Sequence, residues 1–220
     1  MSAVATNDHA RHMDSVYRIQ RHFYDLTRKY YLLGRDQLIA GLSAGPDTQV
    51  LEIGCGTGRN LIAAAYQWPD AHFTGLDISA AMLDTARTSI ARKNLSRTVK
   101  LIEADACHIA RTPQLSGKRY DRIFMSYTLS MIPDWERATA EALAMLAPKG
   151  RLHIVDFGQQ EQLPRWFRAA LYTWLSKFHV TPRANLPNIL EQLAIRHGRT
   201  LGFRQLYRGY AWEAVVSSPV

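Results

Sequence analysis

The chain contains little cysteine and no long apolar run, and each of these shortages excludes some classes of protein. Only two of its 220 residues are cysteine, Cys55 and Cys107, and neither has neighbours at metal-ligand spacing. We interpret both as small, reduced packing residues rather than as a disulfide or a nucleophile, and we expect no metal. No apolar stretch reaches the length of a membrane span, and the first residues are polar. We therefore expect a cytoplasmic protein without a signal peptide.

Acidic residues are outnumbered by basic ones. The chain has 27 Lys and Arg against 19 Asp and Glu, which gives a formal net charge of +8. This excess favours an anionic partner, but composition does not choose between nucleic acid, an acidic small molecule and a membrane surface. With 47% hydrophobic residues and no repeat, we expect residues 1–220 to form a single domain with a full core.

The segment Val50–Gly58, with the sequence VLEIGCGTG, is the most informative part of the chain. An apolar strand runs into alternating glycines, which then open a helix. Glycine allows a sharp turn and close contact between the backbone and a ligand. The unpaired N–H groups at the start of the helix favour a carboxylate or a phosphate. We therefore expect this loop to bind a nucleotide-like cofactor.

Two alternative glycine motifs are absent from this loop. Arg59 occupies the place of the last glycine in a dinucleotide-binding G-x-G-x-x-G, and the Gly-Lys-Ser/Thr of a phosphate-binding P-loop is missing. With Glu52 two residues before the first glycine, the loop instead resembles the first motif of class I S-adenosylmethionine-dependent methyltransferases, E/D-x-G-x-G-x-G. The resemblance implies S-adenosylmethionine as the cofactor.

Two aspartates downstream support this interpretation. A second strand, His72–Leu76, ends at Asp77 about twenty residues past the loop, where an acidic side chain meets ribose hydroxyls. A third strand, Thr98–Glu103, precedes Asp105, where the superfamily places an acid or amide beside adenine. Each aspartate taken alone is equally well explained as a helix cap. The expected cofactor-binding residues are Glu52, Gly54, Cys55, Gly56, Thr57, Gly58, Asp77, Ile78, Asp105, Ala106 and Ser126.

Strands and helices alternate along the rest of the chain. Further strands are expected at Tyr120–Ser126, Arg151–Asp156, Thr200–Tyr207 and Tyr210–Ser217. The last two strands flank Arg208-Gly209, a hairpin signal, and a helix at Trp135–Leu146 ends before Pro148-Lys149-Gly150. The pattern predicts an α/β fold with a doubly wound sheet. It matches the Rossmann-like, seven-stranded order that the methyltransferase resemblance implies, in which the final strand is antiparallel. Cap helices at 10–42 and a helical insertion at 159–198 are expected elaborations.

Two segments beside this core are expected to set substrate preference. In Tyr17–Asp36, aromatic and basic residues interleave, and tyrosines at seven-residue steps share one face if the helix is continuous. Gln160–Arg183 contains the sequence RWFRAALYTWLSKF, which suits a helix at a lipid interface. The alternatives are a basic amphipathic helix packed on the core for the first segment, and a buried lid or dimer helix for the second.

The first segment also resembles a narrower family. Its sequence YDLTRKYYLLGRD is similar to the N-terminal region of bacterial diacylglyceryl-homoserine N-methyltransferases. That resemblance implies three methylations of a lipid amine to a betaine lipid, and an enzyme associated peripherally with the inner face of the membrane, whose surface is anionic. Phosphatidylethanolamine and quinone methylases carry a looser Tyr-Asp segment at this place and remain the alternatives.

Methyl transfer to nitrogen is an in-line displacement, so the protein chiefly aligns a neutral amine and excludes water. Tyr24, Tyr31 and Tyr127 are the expected catalytic residues, which orient the amine and attract the growing methylammonium through cation–π contacts. Arg28 or Lys29 is expected to bind the homoserine carboxylate, although Arg28 is also a candidate for the carboxylate of the cofactor.

Two other functional classes are alternatives to a lipid methyltransferase. An amino-directed nucleic-acid methyltransferase usually has Asn/Asp-Pro-Pro-Tyr/Phe after the fourth strand, whereas residues 126–129 read SYTL, so no nucleic-acid partner is expected. A non-catalytic cofactor-binding protein stays possible, because binding residues do not prove turnover. Acidic residues at all three cofactor positions favour an active enzyme.

Overall fold

The computed structural model describes residues 31–219, which form a seven-stranded sheet with helices on both faces. The strands are β1 Gln49–Ile53, β2 His72–Asp77, β3 Val99–Glu103, β4 Tyr120–Ser126, β5 Leu146–Phe157, β6 Thr200–Leu206 and β7 Ala211–Ser217. The helices are α1 Arg35–Gly41, α2 Arg59–Gln67, α3 Ala80–Arg92, α4 Trp135–Ala144, α5 Arg165–Ser176 and α6 Leu186–Arg196. Short 3₁₀ turns lie at Ala106–Arg111, Pro113–Leu115 and Tyr207–Gly209.

The strand order is β3-β2-β1-β4-β5-β7-β6. Strands β1 to β5 are parallel, and β7 runs antiparallel to both β5 and β6. The predicted doubly wound sheet with an antiparallel final strand is therefore confirmed. The direction of winding reverses between β1 and β4, and open α/β sheets bind ligands beyond the carboxyl ends of the strands at such a point.

The core has two halves, one on each face of the sheet. Side chains alternate between faces along a strand, so Val50 contacts one half while Leu51 and Ile53 contact the other. All three are fully buried, and burying one such aliphatic side chain contributes about 1.5–3 kcal/mol. Packing on both faces of the sheet therefore holds the end of the central strand β1 in place, and the glycine loop begins at this end.

Two boundaries differ from the sequence expectation by more than one residue. Helix α4 ends at Ala144 rather than Leu146, and β5 begins at Leu146 rather than Arg151. Leu146 already pairs with Tyr120, after which the register shifts. A Cβ on Gly150 would lie 2.7 Å from the Tyr120 carbonyl oxygen, so the Pro-Lys-Gly sequence is an irregularity inside the strand and not its start.

The N-terminal segment is interrupted at Gly34. This glycine has a φ of 86° and lies between the helical Tyr31 and the start of α1 at Arg35. The helical conformation at Tyr31 therefore does not continue into α1, and the condition that Tyr17, Tyr24 and Tyr31 share one helix face lies outside the described residues. Of the residues expected to act in this segment, Tyr24, Arg28 and Lys29 lie outside the described residues, as does Tyr17.

Within residues 31–219, none of the helices combines the length and the apolar composition needed to cross a bilayer.

His153 on β5 gives a testable pH dependence. Its imidazole is buried, and burial, with Arg122 and Arg151 nearby, lowers its pKa from 6.5 to about 4. The unfolded chain therefore takes up a proton first as the pH falls, so the free energy of unfolding decreases from pH 6.5 towards pH 4. We expect His153 alone to make the protein about 2 kcal/mol less stable at pH 5 than at pH 7.5.

Urea unfolding of the wild type and His153→Gln at both pH values measures this contribution. The variant lacks a titrating ring, so its free energy of unfolding is expected to fall by about 2 kcal/mol less over this interval. Equal pH slopes for the two proteins would contradict the assignment.

Candidate functional site

The glycine loop is held in a left-handed conformation at each glycine. Gly54, Gly56 and Gly58 have φ values of 73°, 52° and 76°, which side chains rarely adopt. A Cβ on Gly54 would also lie 2.3 Å from the Cγ2 methyl group of Thr128. One side of the loop is therefore packed against Thr128 in the chain that follows β4. The backbone of the loop faces away from Thr128.

Asp77 fixes the middle of this loop. Its Oδ2 accepts a hydrogen bond of 2.7 Å from the Gly56 N–H, and its Oδ1 accepts one of 3.0 Å from the Ser79 N–H. Ser79 in turn caps α3, since its hydroxyl accepts from the Met82 N–H at 3.3 Å. The carboxylate thus joins the ends of β1 and β2 at the predicted cofactor position.

Asp105 has the capping geometry that was the alternative to cofactor binding. Its Oδ1 accepts from the Cys107 N–H at 2.8 Å, and its Oδ2 lies 2.9 Å from Nδ1 of His108. Burial raises the pKa of Asp105, but these hydrogen bonds outweigh it and hold the pKa below its usual value. An ionised carboxylate has about four acceptor positions, so capping leaves capacity for a ligand.

A cleft of about 350 Å³, open to solvent, lies beside the glycine loop at the carboxyl ends of β1 and β4. Its lining residues are Leu32, Arg35, Gly54, Cys55, Thr57, Arg59, Asn60 and Ser126. The hydroxyl of Ser126 is buried and has no hydrogen-bond partner among the described residues. A buried hydroxyl without a partner costs free energy, so its presence on the cleft wall suits a polar ligand.

Arg35 is a cleft residue that the sequence reasoning did not select. It is only 9% exposed, and its Nε donates to the Leu32 carbonyl at 3.1 Å. It is the first residue of α1, where a positive charge opposes the helix dipole. An arginine in this unfavourable position, directly after Gly34, is the sequence signal that indicates a functional residue here. A buried guanidinium here can receive an anionic group of a ligand.

A second pocket of about 260 Å³, a volume that includes space open to solvent, adjoins the cleft. Its lining residues are Tyr31, Leu32, Tyr127, Met131, Phe157, Trp174, Leu175, Phe178 and Val180, none of which is charged. Ring centroids lie 4.7 Å apart for both Tyr31–Trp174 and Tyr127–Phe157. Leu32 lines both spaces, so this aromatic pocket is next to the cleft.

Tyr127 is the buried wall of the aromatic pocket. Its hydroxyl donates to the Leu33 carbonyl at 2.6 Å, and its φ of 55° is left-handed. Burial raises its pKa well above the usual value, so the phenol stays neutral. The ring faces the pocket while the hydroxyl holds the N-terminal segment. Tyr31, the other described member of the predicted tyrosine set, is half-buried in the same pocket.

Both cysteines have free thiols. Burial raises the pKa of Cys55 well above its usual value and that of Cys107 to about 12. Protonated, buried thiols are weak nucleophiles, in agreement with a packing role. Residues 31–219 also contain no cluster of three or more His, Cys, Asp or Glu side chains that suits a metal ion.

Comparison with known protein families gives a match over residues 50–150, to the family described as "Methyltransferase domain". A demethylmenaquinone methyltransferase of Lactobacillus johnsonii is 33% identical over 110 residues, which cover 50% of this chain and 43% of the relative. The ubiquinone/menaquinone biosynthesis C-methyltransferase UbiE of Bartonella tribocorum is 27% identical over 181 residues, 78% of this chain and 66% of the relative. The chain spans about half the length of the first such relatives.

Solved structures resemble the chain over most of its length. A putative methyltransferase from Haloferax volcanii, in complex with the Trm112 activator, has a TM-score of 0.71 at 11% identity and covers 93% of this chain and 96% of its own. Magnesium protoporphyrin IX methyltransferase from Synechocystis, with bound SAM, has a TM-score of 0.61 at 16% identity, covering 86% and 79%. At such identities the likeness concerns the fold alone.

Proposed function

We propose that this chain is a class I methyltransferase, and that it transfers a methyl group from S-adenosylmethionine to the head group of a lipid-like acceptor. The cofactor, when bound, supplies an electrophilic methyl group. The cleft beside the glycine loop fits it, since the Ser126 hydroxyl and the start of α2 offer hydrogen-bonding groups. The buried Arg35 is positioned for the carboxylate at the amino-acid end of the cofactor.

The aromatic pocket is the observation that carries the choice of acceptor. It adjoins the cofactor cleft, and its lining rings include Tyr31, Tyr127 and Trp174. None of the lining residues within 31–219 is charged. Aromatic faces attract a methylated ammonium by about 0.5–2 kcal/mol per ring and exclude water from the amine. This suits nitrogen methylation of an aminolipid such as diacylglyceryl-homoserine. The amine attacks through its lone pair after losing a proton to solvent.

A quinone-type acceptor is the second candidate. The relatives named above are methyltransferases of demethylmenaquinone and of quinone biosynthesis, and these comparisons favour the quinone over the aminolipid. A flat ring would also fit between aromatic walls. Carbon methylation needs removal of a ring proton, however, and the residues that line the aromatic pocket include no histidine or carboxylate. This absence, within the described part of the chain, favours the amine.

The acceptor can be identified with purified protein and labelled S-adenosylmethionine. Diacylglyceryl-homoserine, phosphatidylethanolamine, a demethylquinol and RNA are offered separately, and each product is extracted and counted. We expect label in diacylglyceryl-homoserine. Label in the demethylquinol alone would establish the second candidate, and label in phosphatidylethanolamine alone or in RNA alone would contradict both.

Trp174 tests the role of the aromatic pocket. Replacing it with leucine removes one ring contact to the ammonium, so we expect KM for the methylated intermediate to rise about tenfold. Thr173→Ala, at the exposed neighbouring position of α5, is the matched control and should leave KM unchanged. Initial rates at varied acceptor concentration measure both. An unchanged KM in Trp174→Leu would remove this ring from the acceptor site.

A further inference from the structure

The start of α5 is unusually exposed for a helix so rich in aromatic residues. Trp166 is 72% exposed, and Arg165 and Arg168 on either side of it are also exposed. Only Leu175 of the whole helix is fully buried, and α5 contains no Asp or Glu. A large apolar ring held in water between two cations indicates a surface that meets a partner.

The turn between β6 and β7 extends this surface. The Gln162 N–H donates to the Arg208 carbonyl at 3.2 Å, which brings the turn against the start of α5. Arg208 is exposed and Tyr207 is 46% exposed. The five residues Arg165, Trp166, Arg168, Tyr207 and Arg208 form what we term the basic aromatic face.

An acidic side chain close to this face is already engaged. Glu161 lies just before α5, and its Oε1 accepts from Nε1 of Trp212 at 2.9 Å and from Nε2 of Gln205 at 3.1 Å. Its charge is directed to those donors, while the three arginines of the face are exposed. The face is therefore positively charged, with two aromatic rings among the cations.

We propose that the basic aromatic face docks on an anionic lipid bilayer. Tryptophan and tyrosine are favoured at the level of the lipid head groups, and arginines are attracted to anionic lipids within about 10 Å of the surface. The charge of the face complements such a surface, as does the net charge of +8. The other end of α5 supplies Trp174, a wall of the aromatic pocket, so docking would place that pocket at the lipid surface.

The docking itself rests on the exposed residues, and only its link to the acceptor rests on the proposed function. Vesicle co-sedimentation tests it with phosphatidylcholine alone and with added phosphatidylglycerol. We expect binding only when phosphatidylglycerol is present, and a drop of at least about tenfold in Arg165→Glu/Arg168→Glu. Trp166→Ala is expected to weaken binding about fivefold, because the ring no longer inserts among the head groups.

The matched control is Arg92→Glu/Arg97→Glu, which makes the same charge change at exposed positions at and after the end of α3. Equal binding by both double variants, or wild-type binding to RNA and not to vesicles, would overturn the proposal. Methylation of a short-chain acceptor in solution separates the two proposals. If the Arg165→Glu/Arg168→Glu variant methylates this acceptor but no longer binds vesicles, the docking proposal is supported. If the protein binds vesicles but does not methylate the acceptor, only the proposed function is contradicted.

Discussion

Asp77→Ala is expected to raise the dissociation constant for S-adenosylmethionine at least about 100-fold. The side chain accepts charge-assisted hydrogen bonds from the Gly56 and Ser79 N–H groups, at 2.7 and 3.0 Å. Bonds of this kind contribute about 1.5–3 kcal/mol each, and about 2.7 kcal/mol corresponds to a factor of 100 in affinity. Without the carboxylate the glycine loop is no longer held, and the acidic side chain that we expect to bind the ribose is lost.

Isothermal titration with S-adenosylmethionine measures the effect. Asp77→Asn keeps the shape and one acceptor oxygen, so its dissociation constant is expected to lie between those of the wild type and the alanine variant. Asp84→Ala on the exposed side of α3 is the control and should bind as the wild type does. If folded Asp77→Ala binds the cofactor normally, the cleft beside the glycine loop is not the cofactor site.

Asp156→Ala is expected to destabilise the protein and to impair acceptor binding. Asp156 is 2% exposed and accepts from the Ser130 N–H at 3.1 Å and the Phe157 N–H at 2.8 Å. Alanine leaves both donors buried without a partner, at a cost of about 1–3 kcal/mol each. At about 2–4 °C per kcal/mol for a chain of this size, we expect Tm to fall by about 10 °C.

The effect on the acceptor follows from what Asp156 holds. The chain after β4 is fixed by Asp156 from one side and by Arg183 from the other, whose Nε and Nη2 donate to the Leu129 and Ile132 carbonyls at 3.0 and 2.6 Å. Tyr127 and Met131 of this segment line the aromatic pocket. Loosening the segment should therefore raise both KM for the acceptor and the dissociation constant of the cofactor. We expect the fold increase in KM to be about ten times the fold increase in the dissociation constant.

Differential scanning fluorimetry and initial-rate kinetics measure these two effects. Glu136→Ala, an exposed acid on α4, serves as the control for both. Asp156→Asn retains an oxygen acceptor and is expected to lose less Tm than alanine. A Tm loss without any change in acceptor KM would limit Asp156 to a purely structural role.

The features that the sequence predicted well depend on local patterns. The glycine loop requires particular residues within a few positions, and the hairpin around Arg208-Gly209 requires a turn between two strands. The doubly wound sheet followed from the alternation of strand and helix. Asp77 was placed correctly at the end of β2 because the end of a buried strand is fixed by its apolar residues.

The features that were missed depend on contacts between distant residues. Arg35 and Asp156 are charged, and charged residues are expected on the surface unless a partner elsewhere in the chain is known. The partners of Asp156 include Ser130, 26 residues away. Likewise, Leu146 belongs to β5 because it pairs with Tyr120, and the Pro-Lys-Gly sequence that follows it favours a turn by local rules alone.

The position of β7 has a consequence for how the chain folds during synthesis. Although β7 follows β6 in sequence, it lies between β5 and β6 and hydrogen-bonds to both. Until β7 leaves the ribosome, β5 presents an open strand edge, and β6 has no sheet to join. In a nascent chain that stalls before Ala211, the edge of β5 is therefore exposed. This strand has twelve residues and an apolar end, and its free edge can pair with other chains. Strand β7 completes this sheet, and its pairing with β5 removes the open edge that favours aggregation.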